Sequence, residues 1–212
     1  MTQKPTTADR LAARRQAIIA VAGKLLLENR LASATTLDIA KAAGISKRDL
    51  YAAFPSKDAL IATMIAERVD AFAAPITLEP AKTRAEFDER LEKFSLGFLT
   101  FLLGPRAMPI YRLAIADALA PRTDNVEPIG RLLAREGLQR TSDVVRTFFA
   151  AAEKTGIVTF INREAALGAY FGALIGGLQM RLLLDPEASV TDAEIAQHTR
   201  LALLTLRGLE AL

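Results

Sequence analysis

The sequence predicts an all-α protein of about nine helices, with a small N-terminal domain and a larger C-terminal one. Apolar residues recur at three- and four-residue spacing along most of the 212-residue chain. Glycines and prolines fall between these stretches, where helices end. No segment alternates apolar and polar residues over the length of a strand. We therefore expect two helical domains, over residues 1–55 and 56–212.

The first helix is predicted over residues 8–29. Leu11, Ile18, Ala22 and Leu25 place its apolar side chains at helical spacing. It ends near Arg30, a position that is neither glycine nor proline. The sequence therefore leaves the geometry of that turn open.

Residues 35–54 predict two short helices joined by a tight turn. Thr35 begins the first as an N-cap, with Asp38 three residues later in the position of a capping box. Gly44 supplies the positive φ that a sharp exit requires. Ser46 and Asp49 repeat the start signal for the second helix.

The second of these helices begins with two cations, Lys47 and Arg48, while Leu50 faces back toward the core. A helix-turn-helix presents its second helix to the DNA major groove in this way. A helical hairpin with a solvated, charged end is the alternative.

Charge is unevenly distributed along the chain. Residues 1–60 contain ten Lys/Arg and five Asp/Glu, whereas the remaining residues contain seventeen Lys/Arg and nineteen Asp/Glu. This basic N-terminal third favours a domain that binds a polyanion.

Beyond residue 55 the sequence predicts six more helices. Ser56 caps the first of them, which begins at Lys57. A linker with two prolines, Pro75 to Lys82, follows it. The expected helices cover residues 57–73, 83–103, 105–119, 125–156, 163–184 and 191–211.

A set of residues with fixed order and spacing runs without a gap through residues 10–62. Its members are Arg14, Ile18, Ala22, Glu28, Thr35, Thr36, Asp38, Ile39, Ala40, Ala43, Gly44, Ile45, Ser46, Leu50, Tyr51, Phe54, Ser56, Lys57, Asp58 and Leu60. This set resembles the TetR family of transcriptional regulators. The chain departs from the family at Arg30 and at Arg48, where glycine is usual, and Arg48 adds a cation to the outer face.

The resemblance implies a homodimer that binds double-stranded DNA. Thr36, Tyr51 and Lys57 match family positions that contact the DNA backbone, whereas Leu50 and Phe54 match core positions. The expected DNA-binding residues are Thr36, Ser46, Lys47, Arg48, Tyr51 and Lys57.

The larger domain carries a second, looser resemblance. After an aromatic-rich helix come residues 111–118, then Gly156, Ala165, Phe171 and Gly176. This order resembles the AefR-like C-terminal domain of one subgroup of TetR regulators. It implies nine helices in total and a dimer.

Three glycines, Gly168, Gly172 and Gly176, recur at four-residue spacing and so share one stripe of a helix. A stripe with so little side-chain bulk lets another helix approach closely. We expect a dimer interface here that includes Ala202 and Leu206, because TetR regulators resemble one another in pairing their last two long helices across subunits. A contact within the chain is the alternative.

Ten phenylalanines and three tyrosines occur, most of them beyond residue 70. They fit an apolar cavity for a small hydrophobic or aromatic effector, phenolic compounds included, although such stripes are more often simply core. Arg112 and Asp117 are candidate polar groups for the ligand, and the alternatives are a structural ion pair or two solvated side chains. The expected ligand-binding residues are Met64, Phe98, Met108, Tyr111, Arg112, Ile115, Phe148, Tyr170 and Leu174.

Several functional classes are disfavoured. Cysteine is absent and His198 is the single histidine, which argues against disulfides and a typical metal site. We find no phosphate-binding glycine loop, HExxH motif or Ser-His-Asp set, so we expect no enzyme and no cofactor. The longest uncharged stretch, Ala165 to Met180, is shorter than the ~20 residues of a membrane span. With no secretory signal visible, we expect a cytoplasmic protein.

Together these observations predict a ligand-responsive transcriptional regulator that acts as a repressor. Its dimer would bind a palindromic DNA operator with half-sites about 34–36 Å apart or at a related spacing. A small effector in the larger domain would release it. The alternatives are a helical small-molecule carrier or stress protein with a structural N-terminal domain, and a helical enzyme.

Overall fold

We analysed a computed structural model that describes residues 6–28, 34–73, 78–119 and 127–210. The turn at Arg30 lies outside these residues. The helices are α1 Thr7–Leu27, α2 Thr36–Ala42, α3 Lys47–Ala53, α4 Lys57–Ala73, α5 Arg84–Leu102, α6 Met108–Leu119, α7 Ile129–Leu133, α8 Arg140–Lys154, α9 Arg163–Ile175, α10 Leu178–Leu184 and α11 Asp192–Arg207.

The described ranges contain ten uninterrupted helical stretches and no extended strand, which confirms the all-α prediction. A π-helical segment, Ala134–Gln139, joins α7 directly to α8. This segment lies inside the helix predicted over 125–156, where the sequence pattern gave no sign of a wider turn. π-Helical turns are rare and occur mostly as single-turn insertions in α-helices.

The chain divides into two compact units. The first unit consists of Met1–Glu67 and Pro109–Glu136, and the second of Arg68–Met108 and Gly137–Leu212. The domain ranges 1–55 and 56–212 stay a prediction.

The core of the first unit is shared by α1, α2, α3, α4, α6 and α7. Apolar side chains from all six helices form one buried cluster. The first two turns of α4 belong to this cluster, so they are fixed against the three helices before them. Its larger members are Ile18, Ile39, Leu50, Phe54, Leu60, Ile61, Met64, Ile65, Ile110, Ile129 and Leu132.

The core of the second unit is rich in aromatic side chains from α5, α8 and α9. Phe87 stacks on Phe148 with ring centroids 4.9 Å apart, and Phe149 meets Tyr170 edge-on at 6.0 Å. The Tyr170 hydroxyl lies 2.7 Å from Ser95 Oγ, which itself donates to a backbone carbonyl of α5. Burial raises the pKa of Tyr170, so the phenol stays neutral. A buried hydroxyl is thereby paired inside an otherwise apolar core.

The prediction of one helix over residues 163–184 is wrong, because the chain turns sharply at Gly176. This residue has φ 48° and ψ −139°, a conformation that residues with a Cβ rarely adopt. A Cβ at Gly176 would lie 2.6 Å from Cε1 of His198 on α11. His198 Nδ1 is also 3.2 Å from the carbonyl oxygen of Ala173. Gly176 therefore ends α9 and allows α11 to approach closely.

Candidate nucleic-acid interface

The turn between α2 and α3 has the geometry that its sequence predicts. Thr35 Oγ1 accepts from the backbone N–H of Asp38, and the Asp38 carboxylate accepts from the Thr35 N–H, which completes a capping box. Gly44 has φ 66°. The N–H of Ile45 donates to the carbonyl oxygen of Ala40, and the N–H of Gly44 donates to that of Lys41. These two bonds make the exit from α2 a Schellman motif.

The start of α3 is capped by Ser46, whose Oγ accepts from the N–H of Asp49 at 3.1 Å. The inner face of α3 is formed by Leu50, Ala53 and Phe54, all buried. These side chains pack in one cluster with Ile18 of α1. The orientation of α3 is therefore fixed by apolar packing on one side, which leaves its other side in solvent.

A second contact fixes the end of α3. Arg15 of α1 donates from Nη1 to the carbonyl oxygen of Ala53 at 2.6 Å, and its guanidinium carbon lies 4.4 Å from the centre of the Phe54 ring. A cation at a helix C-terminus satisfies a free carbonyl and interacts favourably with the helix dipole. Arg15 thus has a structural role in holding α3.

The outer face of α3 carries cations and hydroxyls. Ser46, Lys47 and Arg48 are exposed, and Tyr51 is 44% exposed. Tyr51 Oη lies 3.3 Å from Thr36 Oγ1 of α2, and Lys47 Nζ lies 5.7 Å from the centre of the Tyr51 ring. These five residues make a surface of positive charge and hydrogen-bonding groups, as contacts to DNA phosphates and base edges require.

Lys57 has a different environment. Its Nζ donates to the carbonyl oxygen of Ala34, 3.0 Å away, and the side chain is half-buried. Burial lowers the pKa of this lysine, with nearby carboxylates Asp58 and Asp117 opposing the shift. Lys57 therefore ties the beginning of α4 to the residue that precedes the N-cap of α2.

Two family models match the chain. Residues 18–64 match the model for bacterial regulatory proteins of the tetR family, and residues 89–206, more than half of the chain, match the C-terminal domain of AefR-like transcriptional repressors. The chain belongs to the TetR family. It is a transcriptional regulator with an N-terminal helix-turn-helix, as the sequence predicts. A comparison with the sequences of curated proteins gave no significant match.

Solved structures of TetR-family regulators have the same fold. A TetR transcriptional regulator from Agrobacterium tumefaciens is 26% identical, with a TM-score of 0.74 over 93% of this chain and 94% of that chain. The flavonoid-responsive regulator FrrA is 24% identical (TM-score 0.74; 94% and 98%), and FadR from Bacillus subtilis in complex with stearoyl-CoA is 15% identical (TM-score 0.63; 92% and 96%). The last two likenesses concern the fold alone.

Two further observations concern metal-ligating side chains and apolar helices in the described part of the chain. No group of three or more metal-ligating side chains occurs there. No single helix there has both the length and the apolar character of a membrane span; only α9 and α10 taken together meet those two measures, and they are bent by 48°.

The residues predicted to bind an effector are divided between the two units. In the first unit, Met64 is buried, Tyr111 and Arg112 are half-buried, and Ile115 is exposed on α6. In the second unit all five candidates are buried. They are Phe98, Met108, Phe148, Tyr170 and Leu174. Phe148 and Tyr170 belong to the aromatic core described above, and the effector-binding role of all nine residues stays a prediction.

The residues predicted at a dimer interface have two kinds of environment. Gly168 and Gly172 are exposed on α9, and a Cβ on either would meet nothing within 4 Å in the described chain. Ala202 and Leu206 are buried within their own unit. The leucines of α11 that reach solvent are Leu201 and Leu204, 50% and 62% exposed. Neither leucine is among the predicted interface positions, and the interface role of all these residues stays a prediction.

Sequence reasoning missed the side chains of α1 that fix α3. Arg14 and Arg15 are adjacent arginines on an amphipathic helix, a pattern that normally indicates solvated charge. Arg14 Nη1 instead pairs with the Asp49 carboxylate at 2.8 Å, and Arg15 caps α3. Asp49 fits the start signal of α3 with Ser46, so the sequence carries no separate signal for the cation opposite it.

Proposed function

We propose that this TetR regulator is a repressor whose dimer binds a palindromic DNA operator and leaves it when an apolar effector binds. The observation that carries this proposal is the division of α3 into two faces. Leu50 and Phe54 are buried, while Lys47, Arg48 and Tyr51 are left in solvent beside Thr36. The direct DNA contacts are assigned to Thr36, Ser46, Lys47, Arg48 and Tyr51. Lys57 is assigned a supporting role, because its ammonium is bonded to Ala34.

A dimer follows from the geometry of recognition. One helix-turn-helix buries little surface on DNA, and two-fold symmetric pairs bind two half-sites together. We assign the interface to the exposed glycines of α9, Gly168 and Gly172, and to the exposed leucines of α11, Leu201 and Leu204. Small residues on one helix and leucines on another permit close packing across a two-fold axis.

The substitution Gly172→Leu tests this interface. Its new side chain meets open space within the chain, so the fold should persist, with a gain in helix propensity of about 1 kcal/mol. At a packed dimer contact the same side chain should cost about 1–3 kcal/mol. Sedimentation should therefore show a larger monomer fraction, and DNA affinity should fall because the half-sites are no longer linked.

Gly130→Leu is the matched control, since Gly130 is another exposed helical glycine with nothing within 4 Å of its Cβ position. This variant should dimerise like the wild type. A Gly172→Leu protein that remains fully dimeric at every concentration would place the interface elsewhere.

The effector is proposed to be apolar, either aromatic or acylated. The second unit is rich in aromatic side chains, whose chemistry suits such a compound. Among the related regulators, FrrA is flavonoid-responsive and the Bacillus subtilis FadR structure holds stearoyl-CoA. A ligand shifts an equilibrium only through its differential affinity for two states. The effector must therefore prefer the DNA-free dimer.

Titration with a flavonoid and, separately, with a long-chain acyl-CoA tests the response. The active compound should lower operator affinity about 5–150-fold, the usual range of allosteric coupling. Operator DNA should lower the affinity for that compound by the same factor, as linkage requires. Equal affinity of the compound for free and DNA-bound protein would contradict the proposal.

A further inference from the structure

The proposed DNA contacts leave one ion pair at the edge of the interface unexplained. Arg14 of α1 donates from Nη1 to Oδ1 of Asp49 at 2.8 Å. The pair is not buried, because the two side chains are 52% and 36% exposed. An exposed ion pair contributes little to stability. Asp49 is explained by its place at the start of α3, where its side chain and backbone N–H both bond to Ser46. Stability is a weak reason for the arginine that pairs with it.

The helical repeat places this pair on a particular side of α3. Successive residues turn by about 100°. With Leu50 facing the core, Arg48 and Ala52 face outward, while Lys47 and Tyr51 share one flank, next to Thr36 of α2. Asp49 lies on the opposite flank, next to α1. The outward surface of α3 is thus bordered by α2 residues on one side and by Arg14 on the other.

Charge on this second flank points to a phosphate partner. The Ser46 hydroxyl and the Arg14 guanidinium hold the pKa of Asp49 below its usual value, so the carboxylate is ionised. An ionised acid beside DNA repels phosphates unless a cation accompanies it. Arg14 supplies that cation, and a guanidinium has five N–H donors, of which the described bond to Asp49 uses one. The others are available to a phosphate, which arginine binds through two parallel hydrogen bonds.

We infer that Arg14 contacts the DNA backbone on the flank of α3 opposite to Tyr51, and that Asp49 is the positioning residue that aims its guanidinium. This inference rests on the proposed function. In it the two flanks of α3 contact the sugar–phosphate backbone separately, through Thr36 and Tyr51 on one side and through a residue of α1 on the other.

The test is the salt dependence of binding to a duplex that the wild-type protein recovers from a random-sequence pool. Arg14→Gln should reduce the steepness of log K against log salt by about 0.9 for each phosphate contact. The reduction should be about 1.8 for a dimer that binds through both helix-turn-helix domains. Arg14→Lys should keep most of the slope, because a lysine also neutralises a phosphate. Arg106→Gln, an exposed arginine of the second unit, is the matched control and should bind like the wild type.

The double variant Arg14→Gln/Asp49→Asn separates a contact from simple neutralisation, because it has the net charge of the wild type. Its slope should remain as low as that of Arg14→Gln if the guanidinium touches a phosphate. Recovery of the wild-type slope by the double variant would mean that Arg14 only neutralises Asp49. A lower melting temperature of Arg14→Gln with an unchanged slope would mean that Arg14 only holds α3 in place. Either result overturns this inference alone, whereas a wild-type protein that recovers no duplex overturns the proposed function as well.

Discussion

Replacing Lys47 and Arg48 together by alanine should weaken operator binding about a hundredfold or more while leaving the dimer folded. Both side chains are exposed on α3. Within the folded chain the change removes the approach of Lys47 to the Tyr51 ring, which is worth about 0.5–1 kcal/mol at an exposed site. On DNA the effect is much larger. An arginine that contacts a base edge contributes about 1–3 kcal/mol of binding free energy, and each helix-turn-helix of the dimer supplies one such arginine. With the lysine contacts added, affinity should fall by about a hundredfold or more.

The measurement is binding to the selected duplex across a salt series, with melting and sedimentation as checks on folding. Lys93→Ala/Arg106→Ala is the matched control, because it removes an exposed lysine and arginine from the second unit and changes the net charge equally. If both double variants lose affinity for the duplex to the same extent, α3 is not the recognition helix and the net charge of the protein governs binding.

Replacing Gly176 by alanine should cause a large loss of stability. The backbone there has φ 48°, and holding a residue with a Cβ in such a conformation costs about 1–3 kcal/mol. The new methyl group would also lie 2.6 Å from Cε1 of His198, so the imidazole must move and its contact with the Ala173 carbonyl oxygen would be disturbed. We expect a combined cost of about 2–4 kcal/mol, which lowers the melting temperature by roughly 5–15 °C in a protein of this size.

Gly130→Ala provides the comparison for this prediction. Gly130 is helical and exposed, and its Cβ position is open, so alanine should stabilise that helix by about 1 kcal/mol. Calorimetry of the two variants beside the wild type gives the difference directly. Equal melting temperatures would show that the chain at Gly176 accommodates a side chain, and that the break between α9 and α10 is not imposed by glycine.

The recognition hairpin could be predicted from the sequence in detail, because its determinants are local. Thr35, Gly44 and Ser46 each act on residues within three or four positions, and the structure contains each cap and turn. The buried face of α3 was equally predictable, since Leu50 and Phe54 follow the helical repeat. The helix predicted over residues 191–211 also begins at a local signal in the structure, where Thr191 caps α11 in a capping box with Glu194.

Features that depend on distant contacts could not be predicted. Glycine at position 176 fitted a helical stripe as well as a break, and only the approach of His198 distinguishes the two. The bonds of Arg14 and Lys57 likewise join residues 35 and 23 positions apart. Nor does periodicity reveal which face of α11 meets its own chain, so the solvent-exposed leucines were identified only in the folded unit.

The most direct test of DNA recognition by α3 is to select duplexes from a random-sequence pool with the wild-type protein. The salt dependence of its affinity for the most enriched sequence is then measured. We expect a palindrome whose half-sites lie about one helical turn apart, or at a related spacing. We also expect a steep slope, in which each phosphate contact contributes about 0.9. If the selection enriches no common sequence, and binding is weak and hardly responds to salt, the assignment of α3 as the DNA-recognition helix is wrong.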